Sequence, residues 1–176
     1  MSAVDVPPAS VAADRCGVRR AAAGDRPALE RMLTRCTGQT RYRRFHGPVK
    51  VFPERYLTEA LSGSPLHFAL VAYLADDAAE DSPVVEGTVV ALASCRAVDE
   101  GVAELGILVE DEWQRRGVGS HLLREIVAYA AGTGLRALQA QVLADQPWIV
   151  GLLRHHGTCT VAGAGQALHV TLSLPR

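Results

Sequence analysis

The sequence predicts one α/β (α+β) domain, a mixed and mostly antiparallel central sheet flanked by helices, and three observations predict it. Strand and helix signals follow the order β-α-α-β-β-β-α-β-α-β, which places consecutive antiparallel strands first and a βαβ unit later. A glycine turn at Gly117-Val118-Gly119 joins an apolar strand pattern to an amphipathic helix pattern. A length of 176 residues with 48% apolar content suffices to bury one substantial core without disulfides or metal.

The elements are read in chain order. Gly17-Val18-Arg19-Arg20-Ala21 is a short strand, and Gly24-Asp25 supplies a turn and a cap for a helix from Arg26 to Arg35. Leu29, Met32 and Leu33 share one face of that helix. Residues 37–50 are polar, with Arg41, Arg43, Arg44 and His46 set around Tyr42 and Phe45, and their pattern assigns no regular structure. Pro53 suits a first helical turn; Tyr56, Leu57, Ala60 and Leu61 then follow at helical spacing until Ser62-Gly63.

Residues 67–74 form an apolar strand, the acidic residues 76–81 a hairpin loop, and residues 84–98 a second strand interrupted at Gly87. After the Asp99-Glu100-Gly101 turn comes a strand from Val102 to Val109. Beyond the glycine turn Val118, Leu122, Ile126 and Ala130 recur every fourth residue, and Leu123 and Val127 widen the stripe. Gly132 and Gly134 end this helix; residues 135–143 make a strand, 147–155 a short helix and 167–172 a last strand. The domain is expected over residues 17–176, behind a flexible tail of residues 1–16.

A formal net charge of −1 leaves no basic footprint for nucleic acid. Lys50 is the single lysine, so basic charge is almost wholly arginine. Cys16, Cys36, Cys95 and Cys159 are widely spaced and form no C-x-x-C pair, which indicates neither a zinc site nor a redox dithiol and fits a reducing compartment. Asp5, Pro7 and Pro8 interrupt the apolar N-terminus, no basic region precedes it, and no apolar run reaches the ~20 residues that span a bilayer. A cytoplasmic protein without a membrane partner is expected.

The chemistry is concentrated in residues 104–123, where a strand leads through glycines into a helix. Glycines let a backbone approach a phosphate closely, and the first-turn amides of a helix lack internal partners at its positive dipole end. Arg115 and Arg116 can add charge to the same place. A glycine pair alone is equally a tight turn. Gln114-Arg115-Arg116-Gly117-Val118-Gly119, however, resembles the Q/R-x-x-G-x-G/A acyl-CoA signature of GNAT acetyltransferases, in its expected position between a central strand and an amphipathic helix.

The order of elements from Gly17 to Leu172 resembles that family too, with residues 103–123 the specific part. The resemblance implies a GNAT fold in which the central strand splays from its neighbour and binds pantetheine through its backbone. Ile107, Leu108 and Val109 would supply those contacts. The amides of Arg115, Arg116, Gly117, Val118, Gly119 and Ser120 would hold the pyrophosphate of acetyl-CoA, the donor; no metal is implied.

Glu104 is a carboxylate in an otherwise apolar strand, on the face of Gly106 and Leu108. An amine nucleophile with an ordinary pKa of about 10.4 must lose a proton before it attacks, so a general base accelerates transfer. Glu104 is the candidate base; the alternative is a solvated side chain at the strand's exposed start. Ala103-Glu104 also resembles the position of the catalytic glutamate in lysine acetyltransferases of this superfamily.

Many relatives carry an asparagine that contacts the cofactor after the next strand, and Gln146 stands there here. Seven residues later, where relatives place a tyrosine that protonates the thiolate, this chain has Leu153. His155 and His156 are nearby proton donors, or simply a favourable helix end.

Thr40-Arg41-Tyr42-Arg43-Arg44-Phe45-His46 and His67-Phe68-Ala69-Leu70-Val71-Ala72 resemble segments of bacterial GNAT domains that acylate protein lysines, including those that modify acyl-CoA synthetases. The arginines either engage an acidic substrate surface or are a solvated face. The expected function is acetyl transfer to an amine, with a protein lysine first and a small amine second. A non-catalytic acyl-CoA-sensing module is the reading from a different class. The protein is expected as a monomer or homodimer.

Overall fold

The computed structural model describes residues 15–74, 87–163 and 165–175. Its strands are β1 (Cys16–Arg20), β2 (His67–Leu74), β3 (Val89–Asp99), β4 (Val102–Val109), β5 (Ala137–Leu143), β6 (Cys159–Ala162) and β7 (Ala167–Ser173). They form one sheet in the order β1-β2-β3-β4-β5-β7-β6. All neighbours are antiparallel except β4 and β5, the pair joined through a helix, as a parallel crossover requires. The helices are α1 (Arg26–Arg35), α2 (Gly38–Phe45), α3 (Glu54–Leu61), α4 (Val118–Gly132) and α5 (Trp148–Arg154).

Two apolar clusters lie on the two faces of the sheet. On one face Leu29, Met32 and Leu33 of α1 and Leu57, Ala60 and Leu61 of α3 bury against Ala69, Val71, Leu92 and Leu108. On the other, Val118, Leu122, Leu123, Ile126 and Ala130 of α4 bury against Phe68, Leu70, Ala93, Ala103, Leu105 and Leu138, with Val150 and Leu153 of α5 beside them. Side chains alternate along β4 between these cores. Glu104, Gly106 and Leu108 therefore face α1–α3, and Ala103, Leu105, Ile107 and Val109 face α4.

Four expectations change. Residues 38–45 are helical: Thr37 caps α2 by accepting from the Thr40 amide, and Asp111, far along the chain, accepts from the Thr37 amide and hydroxyl and the Thr40 hydroxyl, each at 2.8 Å. Asp25 does not cap α1 with its side chain. Its buried carboxylate turns back to Arg19, at 2.6 and 2.8 Å, and to the Ala22 amide. The short edge strand β6, largely exposed and paired with β7 alone, has no apolar alternation for a sequence reading to find.

The fourth change concerns the strand expected over residues 84–98, which runs from Val89 to Asp99; residues 84–86 lie outside the described residues, as do the expected loop at 76–81 and residues 1–14 of the expected tail. The first strand begins at Cys16, one residue before the expected domain boundary. Cys16, Cys36 and Cys95 are buried and unbridged, and burial pushes the Cys36 and Cys95 thiols up to about 12 and about 11. They act as small apolar side chains. Among the described residues no helix is long and apolar enough to cross a membrane.

Candidate active site

The site begins where β4 and β5 part. They pair only over Val102–Glu104 with Ala137–Gln139, while β3 accompanies β4 to Val109. The Glu110 amide donates to the Val90 carbonyl, and backbone groups alternate along a strand. It follows that the amides and carbonyls of Leu105, Ile107 and Val109 point away from β3, into the gap left by β5. Those of Leu108 point to β3, so of the three residues expected to contact pantetheine, Ile107 and Val109 face the gap, with the Val109 carbonyl already accepting from Gln114 Nε2 at 2.9 Å.

A cavity of about 630 Å³ fills this gap. One wall is β4 from Glu104 to Val109, the opposite wall is Ala140, Gln141 and Val142 of β5 with Gln146, Trp148 and Ile149 beyond it, and α2 forms the roof. Two polar contacts cross the roof: Arg43 meets Asp145 at 3.2 Å, and the Nδ1 of His46 meets Gln141 Oε1 at 2.9 Å.

At the cavity's mouth lies the glycine turn. Arg115 and Gly117 both have left-handed backbone, with φ of 56° and 86°, which curls the chain into a concave row of amides. His121 is the first residue of α4 whose amide has an intrahelical acceptor, the Gly117 carbonyl at 2.9 Å, so the amides of Val118, Gly119 and Ser120 precede the helical ladder. A Cβ at Gly119 would meet nothing nearer than Val109 Cγ2 at 3.5 Å, so the cradle is open where a phosphate would lie. Arg115 lines the cavity, whereas the Arg116 guanidinium lies over the Trp113 ring, 5.7 Å from its centroid.

Gln114 lines the cavity and also braces its wall. Its Nε2 donates to the Val109 carbonyl at 2.9 Å and to the Thr40 hydroxyl at 3.1 Å, tying the end of β4 to α2. Behind it Arg35 grips buried Glu110 with two hydrogen bonds of 2.9 Å and donates to the Val89 carbonyl, which fixes where β4 ends.

At the other end of the cavity Glu104 is half-exposed, and Arg96 of β3 donates to its Oε2 at 2.6 Å. Next on the same face is Gly106, where a Cβ would collide with the Arg44 guanidinium. Arg44 donates to the Tyr56 hydroxyl at 3.0 Å, Tyr56 bonds buried Ser94 at 2.9 Å, and the Phe45 and Tyr56 rings flank the cation. Sequence reasoning did not single out Arg44, His46 or Gln141 as individual site residues. The signal was Gly106, since a glycine inside a strand marks a close approach by another group.

The expectations on α5 resolve differently. Gln146 lines the cavity. Leu153 reaches its floor but is buried in the α4-side core. His155 and His156 are not among the lining residues; His155 Nδ1 contacts the Gly151 carbonyl at 2.8 Å, as a helix end does, and burial holds the His156 imidazole below its usual range.

Residues 39–157 match the model of the acetyltransferase (GNAT) family, about two thirds of the chain. The chain belongs to the GNAT acetyltransferase family, whose members transfer an acetyl group from acetyl-CoA to an amine. Among solved structures, the fold is similar to the GNAT domain of S. lividans PAT, with TM-score 0.73, 21% identity and 89% of each chain covered. A GCN5-related N-acetyltransferase from Kribbella flavida gives TM-score 0.67 at 21% identity, covering 90% of this chain and 96% of that one. Spermidine N-acetyltransferase from Vibrio cholerae, solved with CoA and spermine, gives 0.67 at 15% identity, covering 91% and 96%. Comparison with curated protein sequences finds no match.

Proposed function

We propose that this domain transfers the acetyl group of acetyl-CoA to the ε-amine of a protein lysine, with Glu104 as general base. The observation that carries the reading is the wedge between β4 and β5, with an amide cradle at its mouth and a carboxylate at its apex. The cradle amides and Arg115 suit the pyrophosphate, the amide and carbonyl of Ile107 and the amide of Val109 suit an extended pantetheine arm, and the thioester then lies near Gly106. An amine approaching beneath α2 meets Glu104 on the same face of the sheet. Arg96 orients that carboxylate through one oxygen, and the free backbone amides of β4 polarise the thioester carbonyl.

The lysine acceptor is favoured by the charge of this half of the cavity. Arg43 is offset by Asp145 and Arg96 by Glu104, while the described partners of Arg44 are neutral hydroxyls and aromatic rings. An unbalanced guanidinium repels a polyamine but accepts a lysine flanked by acidic residues. The test is thiol release from acetyl-CoA with lysine peptides bearing acidic or basic neighbours and with spermidine. Faster turnover of the acidic-flanked peptide, cut ~100-fold in Glu104→Gln with acetyl-CoA affinity unchanged, is expected. Preference for spermidine would overturn the acceptor, and full activity in Glu104→Gln would overturn the base.

A further inference from the structure

Transfer of an acetyl group from a thioester to an ammonium substrate moves two protons. One leaves the ammonium before attack, which is the task given to Glu104. After the amine nitrogen bonds to the carbonyl carbon, that nitrogen carries a second proton in excess while the carbon–sulfur bond breaks and the sulfur leaves as thiolate. The cavity wall on α5 offers nothing to carry it: Ile149, Leu152 and Leu153 are aliphatic, and His155 and His156 are not among the lining residues.

His46 is the imidazole lining this cavity. It projects from the C-terminal end of α2, and the Gln141 it touches lies two residues beyond Gln139, the parallel partner of Glu104. Gln141 and Gln139 share a face, so the ring sits on the acceptor side of the sheet, level with Gly106. Amide oxygens only accept, so the 2.9 Å contact from Gln141 Oε1 places the proton on Nδ1 and leaves the lone pair on Nε2. The residue also holds a left-handed backbone, φ 54° and ψ 31°, with its amide donating to the Tyr42 carbonyl at 2.7 Å. A side chain other than glycine adopts that conformation at a cost, and such residues cluster at working sites.

We propose that His46 is the proton carrier of the transfer step. Its Nε2 takes the proton from the nitrogen of the tetrahedral adduct; the carbon–sulfur bond breaks, and the imidazolium delivers the proton to the departing sulfur. The nitrogen–hydrogen bond lost is balanced by the sulfur–hydrogen bond gained, and the imidazole returns to its starting tautomer. This assignment rests on the acetyl-CoA reading above and supplies the proton route that Leu153 does not. The charged groups that line the cavity with His46 are Arg43 and Arg44 on α2, Glu104 on β4, Arg115 in the glycine turn and Asp145 after β5.

The test needs no acceptor. CoA is bound to wild type and to His46→Asn, since asparagine also tolerates left-handed backbone, and thiolate absorbance of the bound CoA is titrated against pH. A sulfur beside Nε2 ionises in wild type roughly one pH unit below free CoA, and the variant loses that shift while still binding CoA. Identical titrations in the two proteins, with CoA bound to both, overturn the role of His46 and leave the donor assignment standing. Failure of wild type to bind CoA, read by thermal shift, overturns the donor assignment and this inference together. A mere clasp between α2 and β5 would change stability or CoA affinity without moving the sulfur's ionisation.

Discussion

Arg44 occupies the space in which a side chain at Gly106 would begin, so the helix roof and the central strand meet with a guanidinium packed on bare backbone. Gly106→Val forces that guanidinium off its hydroxyl and aromatic partners. The expected cost is ~1–3 kcal/mol in chemical denaturation, as for overpacking elsewhere. Combining it with Arg44→Ala relieves the collision, so the double variant should be more stable than the sum of the single effects predicts. Strict additivity would show that Arg44 does not rest on Gly106.

The cradle makes a second prediction. Gly119 lies in the first turn of α4, and its Cβ position has only an ordinary contact with Val109, so Gly119→Glu should fold. Its carboxylate would stand where the pyrophosphate is expected. Wild type at a hundredfold excess of acetyl-CoA over Kd should gain about 2.7 kcal/mol of stability, and the folded variant should gain almost none. A thermal scan with and without the ligand reads both. Equal stabilisation of the two proteins would move the donor site elsewhere.

The two halves of the site differ in how far the sequence discloses them, and the reason is locality. Gln114 to Ser120 announce themselves because a strand, a glycine turn and an amphipathic helix are contiguous, and the amides that matter need no particular side chains. The place of Glu104 on β4 follows from alternation alone. The acceptor half is assembled from a distance: the Thr37 cap of α2 is held by Asp111, His46 is met by Gln141, Arg43 by Asp145, and Arg96 faces Glu104 through the β3–β4 register. Residues 38–45 carry no apolar stripe, so neither periodicity nor charge pattern discloses the helix that brings Arg44 and His46 to the cavity. Gln114 shows both sides at once: its place in the motif and at the cavity is legible in the sequence, whereas the bonds of its side-chain amide to Thr40 and the Val109 carbonyl are not.

His67 gives a third prediction, on pH. Its ring is buried, neither nitrogen has a hydrogen-bond partner among the described residues, and it lies 5.4 Å from the Tyr56 ring. Burial holds the imidazole below its usual range; Glu59 opposes this, while Arg96 and Arg44 add to it. A depressed folded-state pKa means that the unfolded chain binds the proton first, so this stabilisation is complete above about pH 6.5 and is lost as pH falls below it. His67→Phe removes the titration at similar volume. Denaturation midpoints across the range from about pH 7 to 5 should therefore fall less steeply in the variant than in wild type. Parallel curves would exclude His67 as a contributor.

The last prediction concerns Asp111, which follows β4 and leads into the glycine turn yet holds the first turn of α2. Burial raises its carboxyl, but hydrogen bonds from the Thr37 amide and hydroxyl and from the Thr40 hydroxyl outweigh this and hold it below the usual carboxylate range. The stabilisation is thus present above its unfolded pKa of about 3.9 and lost as pH falls through the lower folded value. At neutral pH, Asp111→Ala should cost ~1 kcal/mol, because these bonds are partly exposed. The larger effect should be on catalysis. Loosening α2 displaces Arg44 and His46 together, while the cradle amides are held by α4 and by Arg35 on Glu110. Acetyl-CoA should therefore stabilise the variant as it does wild type, while KM for the acceptor rises and kcat falls. Loss of acetyl-CoA binding in Asp111→Ala would show instead that the cradle and the roof are one structural unit, and that α2 cannot move without opening the donor site.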